Sequence, residues 1–308
     1  MNREEIKAAE RKVWLNGELI PWENATVHIL SHGFSRGSAI FEVFGVHPSP
    51  NGPVAFRMDM HFRRFYRTAE LLGMEIAQPV EELAQAVKET VRVNGIDHGF
   101  VKIVAYYGLE AFATLVPDVK LDMSIFAISL DADLGLDLTK PISACISKWR
   151  KNHPASVPVE SKSAANYLNG MLARQDAYRR GFDVGLMLDT HGFVAEGSIE
   201  AVFIVKNGAI RTPPLGRILA SVSRQSVLDT AAVIGLEVVE NAIKPEDLLE
   251  ADEIFTSATP FKVVPVGRIE DRILENAPGP VSLKLRQALD EICAGRDERF
   301  KNWLQPLQ

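Results

Sequence analysis

Two residues of the sequence belong to types that can do cofactor chemistry, and each lies among small and apolar neighbours. Lys162 lies in the block SKSAANYLN, and Glu196 lies further along the chain in VAEGSIEAVF. A lysine amine can form a Schiff base with an aldehyde, and a carboxylate can hold a pyridinium nitrogen protonated. Because pyridoxal phosphate enzymes need both groups, the pair predicts a pyridoxal 5′-phosphate site.

Both residues are expected at the end of a regular element. Residues 164–180 have helical periodicity, so Lys162 should lie just before a helix. Residues 184–189 and 193–196 flank a turn, which predicts a hairpin that ends at Glu196. The large apolar residues of the helix are predicted to form its buried stripe. They are Leu168, Met171, Leu172 and Tyr178.

The alternation of strands and helices continues along the chain and predicts an α/β protein of two domains. At 308 residues the chain is long for one hydrophobic core. The segment 131–140, DADLGLDLTK, is polar, contains a glycine and precedes a proline, so it is predicted to be the interdomain linker. The domains are then 1–130, an α/β domain, and 141–308, which carries Lys162 and Glu196.

The composition and charge of the chain limit the classes of partner that it is expected to bind. The formal net charge is -6, and no concentrated basic stretch is present, so nucleic acid and anionic membranes are not expected as partners. Three arginines, Arg63, Arg64 and Arg67, cluster on a predicted helix and are expected to form its solvated face. The two cysteines are far apart, no apolar run approaches a membrane span, and no metal site is predicted. A cytoplasmic enzyme is expected.

The two blocks belong to an ordered series of motifs that extends along nearly the whole chain. The series resembles that of the class IV (fold-type IV) aminotransferases, and it is most similar to the branched-chain amino-acid aminotransferases. The further blocks are LNGELIPWENATVHILSHG, GSAIFEVF, VAFRMDMHFRRF, RTPP and EIFTSATP. The resemblance implies a two-domain α/β (α+β) fold, with a smaller N-terminal domain and a larger C-terminal pseudo-barrel domain that binds pyridoxal 5′-phosphate.

The resemblance also assigns roles to residues at the cofactor. Lys162 would link to the cofactor and then move the proton at the substrate α-carbon, as nucleophile and general acid/base. Glu196 would pair with the pyridine nitrogen, and Tyr167 would face the phenolic oxygen. The phosphate would be held by an arginine and by donors of later blocks. These residues are Arg57, Val222, Ser223 and Thr259.

The predicted substrate pocket departs from the family pattern. Arg36 stands where the branched-chain enzymes usually have an aromatic residue, and Phe100 and Lys102 stand where they have tyrosine and arginine. Either of the two cations could bind a substrate carboxylate; alternatively, Arg36 points to solvent and Lys102 replaces the arginine. Phe41 and Ala258 complete the predicted pocket.

The function implied by the resemblance is transamination between an amino acid, expected to be a branched-chain or other hydrophobic L-amino acid, and 2-oxoglutarate. The alternatives are a D-amino-acid aminotransferase, an enzyme of the aminodeoxychorismate lyase type, and a non-catalytic protein with the same fold. Amino and 2-oxo acids are the expected substrates. The resemblance also implies a homodimer or a larger homo-oligomer.

Overall fold

The computed structural model describes residues 11–130, 140–259 and 262–308. The predicted linker 131–140 lies outside the described residues except for Lys140, so the domain boundaries remain a prediction. None of the helices formed by the described residues is long enough and apolar enough to cross a membrane.

The chain forms two compact units, each built on its own β-sheet. The first unit contains the described part of Met1–Asp133, together with Ser161–Ala165 and Cys293–Gln308. The second contains the described parts of Leu134–Glu160 and Asn166–Ile292. Strands are labelled β1 to β16 and helices α1 to α7 along the chain. The expected mixed α/β architecture of two parts is confirmed.

The first unit has a seven-stranded antiparallel sheet with the order β16-β4-β3-β5-β6-β1-β2. Its strands are β1 (Lys12–Leu15), β2 (Glu18–Pro21), β3 (Ala39–His47), β4 (Val54–Phe56), β5 (Gly99–Tyr106), β6 (Asp122–Ser129) and β16 (Leu304–Pro306). Its helices are α1 (His32–Arg36), α2 (Met58–Leu71) and α3 (Val80–Val93).

The interior strand β3 separates two environments because its side chains alternate between the faces of the sheet. Ile40, Glu42 and Phe44 are buried, whereas Phe41 and Val43 are only partly buried. The ring of Phe44 packs edge-on against Phe62 of α2, 6.2 Å between centroids. One face of β3 therefore belongs to the core under α2, and the other presents Phe41.

The second unit has a nine-stranded mixed sheet with the order β12-β11-β10-β13-β14-β7-β8-β9, and β15 pairs with β14. Its strands are β7 (Ile142–Arg150), β8 (Val184–Leu188), β9 (Val194–Glu196), β10 (Ala201–Lys206), β11 (Ala209–Thr212), β12 (Val238–Glu240), β13 (Glu253–Ser257), β14 (Val264–Ile269) and β15 (Arg272–Ile273). Its helices are α4 (Tyr167–Arg179), α5 (Val222–Val233), α6 (Pro245–Glu250) and α7 (Pro280–Cys293).

The predicted buried stripe of α4 is wrong. Three of its four residues are exposed, Leu168 by 58%, Met171 by 56% and Tyr178 by 81%, and Leu172 is only partly buried. The buried residues are small: Gly170, Ala173 and Ala177. A Cβ atom at Gly170 would lie only 2.0 Å from the carbonyl oxygen of Ser198, so the helix approaches its support too closely for a large side chain. Close backbone packing, rather than hydrophobicity, selects the buried face.

Candidate active site

The backbone around Lys162 is fixed in the first unit on both sides. The amide of Lys162 donates to Thr68 Oγ1 at 3.0 Å, and its carbonyl accepts from the amide of Phe41 at 3.2 Å. The next residue, Ser163, forms an isolated antiparallel bridge with Ile40. These contacts direct the Lys162 ammonium to the Phe41 side of β3, where Nζ lies 4.7 Å from the centroid of the ring.

A second lysine approaches the same ring. Lys102 on β5 pairs in register with Val43, and its Nζ lies 5.0 Å from the centroid of Phe41 and 6.0 Å from that of Phe126. Burial lowers the pKa of Lys102 from its ordinary value. An ammonium at this distance from an aromatic face is attracted to the ring quadrupole. The predicted substrate residues Phe41 and Lys102 are therefore next to the predicted catalytic lysine.

The remaining predicted pocket residues of this unit lie differently. Arg36 at the end of α1 is exposed, and its Nη2 reaches the carbonyl of Phe112 only at 3.5 Å. Phe100 is buried on β5, two residues from Lys102 and thus on the same side of that strand. The structure brings Lys102 to Phe41 and leaves Arg36 at the surface.

Arg57 is held by the C-terminal part of the chain. Its backbone is left-handed, with φ of 51°, and its amide donates to the carbonyl of Trp303 at 2.6 Å. Its guanidinium carbon lies 3.9 Å from the centroid of the Trp303 ring. The left-handed turn before α2 and the stacked indole together fix the direction of this buried arginine.

A buried charge network under Lys162 was not predicted from the sequence. Glu42 is fully buried and accepts from Arg64 Nε at 2.7 Å, from Arg64 Nη2 at 2.8 Å and from His61 Nδ1 at 2.7 Å. Burial alone would raise the pKa of Glu42, but Arg64 and His61 lower it to about 2. The solvated position expected for Arg64 is wrong, because an inward carboxylate on β3 requires a cation. The sequence contained one sign of this network: His61 and Arg64 are three residues apart, so they lie on one face of α2, where they can meet an inward-facing Glu42.

In the second unit, Glu196 ends β9 and is mostly buried. Its Oε2 accepts from the amide of Leu219 at 3.0 Å, and its Oε1 forms an ion pair with Lys151. Sequence reasoning missed Lys151, which directly follows β7. Each carboxylate oxygen has two lone pairs, so Glu196 can still accept a hydrogen bond from a ring N–H.

Tyr167 is the first residue of α4, directly after the 3-10 turn Ala164–Asn166. The neighbouring Asn166 is buried, and its Nδ2 donates to the carbonyl of Pro158 at 3.4 Å. Tyr167 itself is partly buried. Its position is consequently fixed by the start of a regular helix.

The start of α5 offers donors to an anion. Ser221 caps the helix by accepting from the amide of Arg224 at 3.2 Å, so Val222 and Ser223 lie in the first turn, where amides have no intrahelical acceptor. Ser223 Oγ lies 3.5 Å from Thr259 Oγ1. The buried Ser257 Oγ, which precedes Ala258, has no hydrogen-bond partner among the described residues. A phosphate fits this donor set, because a helix start favours negative charge.

Comparison with known proteins decides the family. Residues 39–269 match the model of the amino-transferase class IV family. The chain belongs to the class IV aminotransferases. Pyridoxal 5′-phosphate is the cofactor of this class, so the enzyme is a pyridoxal phosphate-dependent aminotransferase acting on amino and 2-oxo acids, as predicted. The residues described above fit that group: a lysine beside an aromatic face, a carboxylate with a spare lone pair, and a set of anion donors.

Individual relatives cover almost the whole chain. The branched-chain-amino-acid aminotransferase of Salmonella typhimurium is 31% identical over 299 residues, covering 96% of this chain and 97% of the relative. A solved branched-chain aminotransferase of Thermoproteus uzoniensis with norvaline is 33% identical, with a TM-score of 0.92 over 97% of this chain and 99% of the other. The corresponding Escherichia coli structure has a TM-score of 0.93 at 30% identity, over 97% and 100%. The resemblance inferred from the sequence is confirmed.

Proposed function

We propose that the enzyme transfers an amino group between a branched-chain or other hydrophobic L-amino acid and 2-oxoglutarate. The observation that carries this proposal is the Phe41 ring with two ammonium groups near it, Lys162 Nζ at 4.7 Å and Lys102 Nζ at 5.0 Å from its centroid. An apolar ring suits a hydrophobic side chain, and an ammonium suits the distal carboxylate of the dicarboxylic partner.

Known relatives support both halves of this substrate pair. A further branched-chain aminotransferase, 32% identical to this chain, has been solved with 4-methylvaleric acid and, separately, with N-(5′-phosphopyridoxyl)-L-glutamate. The first of these ligands is an apolar monocarboxylate, and the second contains glutamate. A pocket that accepts both needs an apolar wall and a cation, which is the combination proposed for Phe41 and Lys102.

The mechanism divides the work among residues of the chain. Bound pyridoxal phosphate supplies the electron sink for the carbanion at the substrate α-carbon. We assign to Lys162 the covalent attachment of the cofactor and the movement of the proton at that carbon. Glu196 would accept the hydrogen bond of the pyridinium, and Tyr167 would bind the phenolic oxygen. The phosphate would be held by Arg57, by the first turn of α5 at Val222 and Ser223, and by Thr259 after β13.

A homodimer forms part of the proposal. The first unit exposes large apolar side chains in two segments, around α1 and in the connection between β5 and β6. They include Ile29, Phe34, Phe112, Leu115 and Val116, with Phe112 90% exposed. Contiguous exposed apolar surface is a mark of association. Light scattering of the purified protein should give twice the mass of the chain or a higher multiple, and a monomer at working concentration would contradict the assignment.

The substrate class is tested by single half-reactions. The purified holoenzyme is mixed with individual L- and D-amino acids, and loss of the absorbance of the lysine-bound cofactor is followed. L-Leucine, L-isoleucine, L-valine and L-glutamate should convert the cofactor to its amine form. Conversion by D-amino acids alone, or release of an unsaturated product without amine formation, would contradict the proposal and indicate an alternative enzyme of the same fold.

The attachment site is tested by borohydride reduction and peptide mapping. The reduced pyridoxyl group should be found on the peptide that contains Lys162. A label on another lysine would refute the assignment. Lys162→Ala should abolish turnover, because it removes the nucleophile and the proton carrier together. Lys148→Ala, at an exposed lysine of β7, is the matched control.

A further inference from the structure

Lys151 is an unusual lysine for its position. Its side chain is 7% exposed, although lysine is almost never buried without a partner. Its ammonium forms an ion pair with Glu196, whose side chain is 13% exposed. A buried cation in contact with the carboxylate that is proposed to face the cofactor ring would affect the chemistry of that ring.

The backbone of Lys151 is held on both sides. Its amide donates to the carbonyl of Leu188 at 2.8 Å. Asn169 of α4 donates through Nδ2 to the carbonyl of Arg150 at 2.9 Å and accepts through Oδ1 from the amide of Asn152 at 3.2 Å. The side chain therefore starts from a rigid point, and the ion pair fixes one oxygen of Glu196. The amide of Leu219 fixes the other.

The ion pair has an electrostatic consequence for a proton shared between Glu196 and a ring nitrogen. Such a proton can lie on the carboxyl group or on the nitrogen. An ammonium in contact with the carboxylate stabilises the anion, and so favours the proton on the nitrogen. Without the ammonium, the negative charge of this mostly buried side chain would have no compensating cation, which burial makes costly.

We propose that Lys151 is a positioning residue that orients Glu196 and compensates its charge, and that it thereby keeps the shared proton on the pyridine nitrogen of the cofactor. Lys151 acts through Glu196. The inference rests on the proposed role of Glu196, and it adds a residue that the family resemblance did not indicate.

The test is the nitrogen-15 resonance of pyridoxal phosphate labelled at the ring nitrogen and bound to the holoenzyme. The parent protein should give the signal of a protonated pyridine. Lys151→Met should shift this signal toward unprotonated pyridine and weaken cofactor binding by about tenfold or more. Lys151→Arg, which keeps the charge, should restore both. Lys148→Met, at an exposed lysine three residues upstream, should leave both at the parent value.

A double variant keeps the test decisive if Lys151→Met does not fold. Lys151→Met combined with Glu196→Gln removes both charges, so no buried carboxylate is left unpaired. Because Lys151 is proposed to act through Glu196, this double variant and Glu196→Gln alone should give the same nitrogen signal. Different signals would show that Lys151 acts by another route and would overturn the proposal.

The failure of this inference is distinguishable from failure of the proposed function. If Lys151→Met keeps the parent nitrogen signal while Lys162 carries the label and amino acids are converted, Lys151 has only a structural role. If Lys162 is not labelled or no amino acid is converted, the proposed function itself is wrong.

Discussion

Two buried carboxylates, one in each unit, show how differently the enzyme uses the same chemical group. Glu42 in the first unit has both oxygens occupied by Arg64 and His61, and its side chain is completely buried. Glu196 in the second unit has one ion pair and one backbone donor, and it retains partial exposure. A carboxylate with all its partners supplied by the fold stabilises that fold, whereas one with spare acceptor capacity can receive a ligand.

The comparison implies that replacing Glu196 affects chemistry more than folding. Glu196→Gln should retain bound cofactor but lower the rate of α-proton abstraction about a hundred- to a thousandfold, because a neutral amide does not hold the ring nitrogen protonated. Single-turnover absorbance changes with L-leucine measure this rate. A near-normal rate would place Glu196 with Glu42 as a structural carboxylate.

The reverse result is expected for Glu42. Glu42→Gln leaves Arg64 buried without its counter-charge, so the free energy of unfolding should fall by about 3 to 5 kcal/mol. Denaturant titration gives this value, and Glu70→Gln, at an exposed residue that pairs with Arg67, is the control with little expected change. The single-turnover rate per folded molecule should fall far less than in Glu196→Gln. An equal loss of rate would erase the distinction between the two carboxylates.

Replacing Lys102, which lies beside Phe41 on the face of the sheet opposite Glu42, should have an effect of intermediate size. Lys102→Met should raise the Michaelis constant for 2-oxoglutarate roughly ten- to a hundredfold, since a charge-assisted contact is typically ~1.5 to 3 kcal/mol. Monocarboxylic 2-oxo acids should be affected less. Arg36→Gln should leave the Michaelis constants for both kinds of 2-oxo acid unchanged, because Arg36 lies at the surface. If Arg36→Gln instead has the larger effect, the carboxylate site is at the end of α1 rather than beside Phe41.

The smallest expected effect is a pH dependence that belongs to the Glu42 network. Burial lowers the pKa of His61 from its ordinary 6.5, although Glu42 partly opposes the shift. As the pH falls, the His61 imidazole is therefore protonated in the unfolded chain before it is protonated in the folded chain. The free energy of unfolding should decline by up to about 1.4 kcal/mol per pH unit as the pH falls below 6.5. Glu42, with its pKa lowered from 4.5 to about 2, keeps its contribution above pH 4.5 and loses it as the pH falls toward 2.

His61→Asn, which keeps a donor for Glu42, should remove the decline that begins below pH 6.5 and leave the loss at lower pH. Unfolding midpoints measured from pH 7 down to about pH 2 compare the two proteins. Identical pH profiles would show that His61 does not titrate with folding.

The sequence predicted the residues that lie in motif blocks and missed those whose partners are distant along the chain. Lys162 and Glu196 were proposed from their neighbours in the sequence. Lys151 was not, because a lysine after a strand looks like any solvated lysine until β7, β8 and β9 bring it to Glu196. Arg64 was placed in solvent for the same reason, since its partner lies on β3.

The helix α4 shows a second physical limit of sequence reasoning. Periodicity identified the helix correctly but selected the wrong face. Large apolar residues favour burial only where there is volume for them, and the approach of Gly170 to Ser198 leaves none. The distance between a helix and its support is a tertiary property, and it determines which residues the helix can bury.

Since Arg57 is proposed to bind the phosphate, its contact with Trp303 would make the segment around Trp303 part of the cofactor's support. Trp303 contributes a backbone acceptor and an aromatic surface to Arg57, and the adjacent strand β16 completes the edge of the sheet beside β4. Proteolytic trimming that reaches Trp303 would therefore be expected to release pyridoxal phosphate, far from any cut in the Lys162 or Glu196 blocks. Loss of the yellow colour of the cofactor on such trimming is the result that the proposed role of Arg57 predicts.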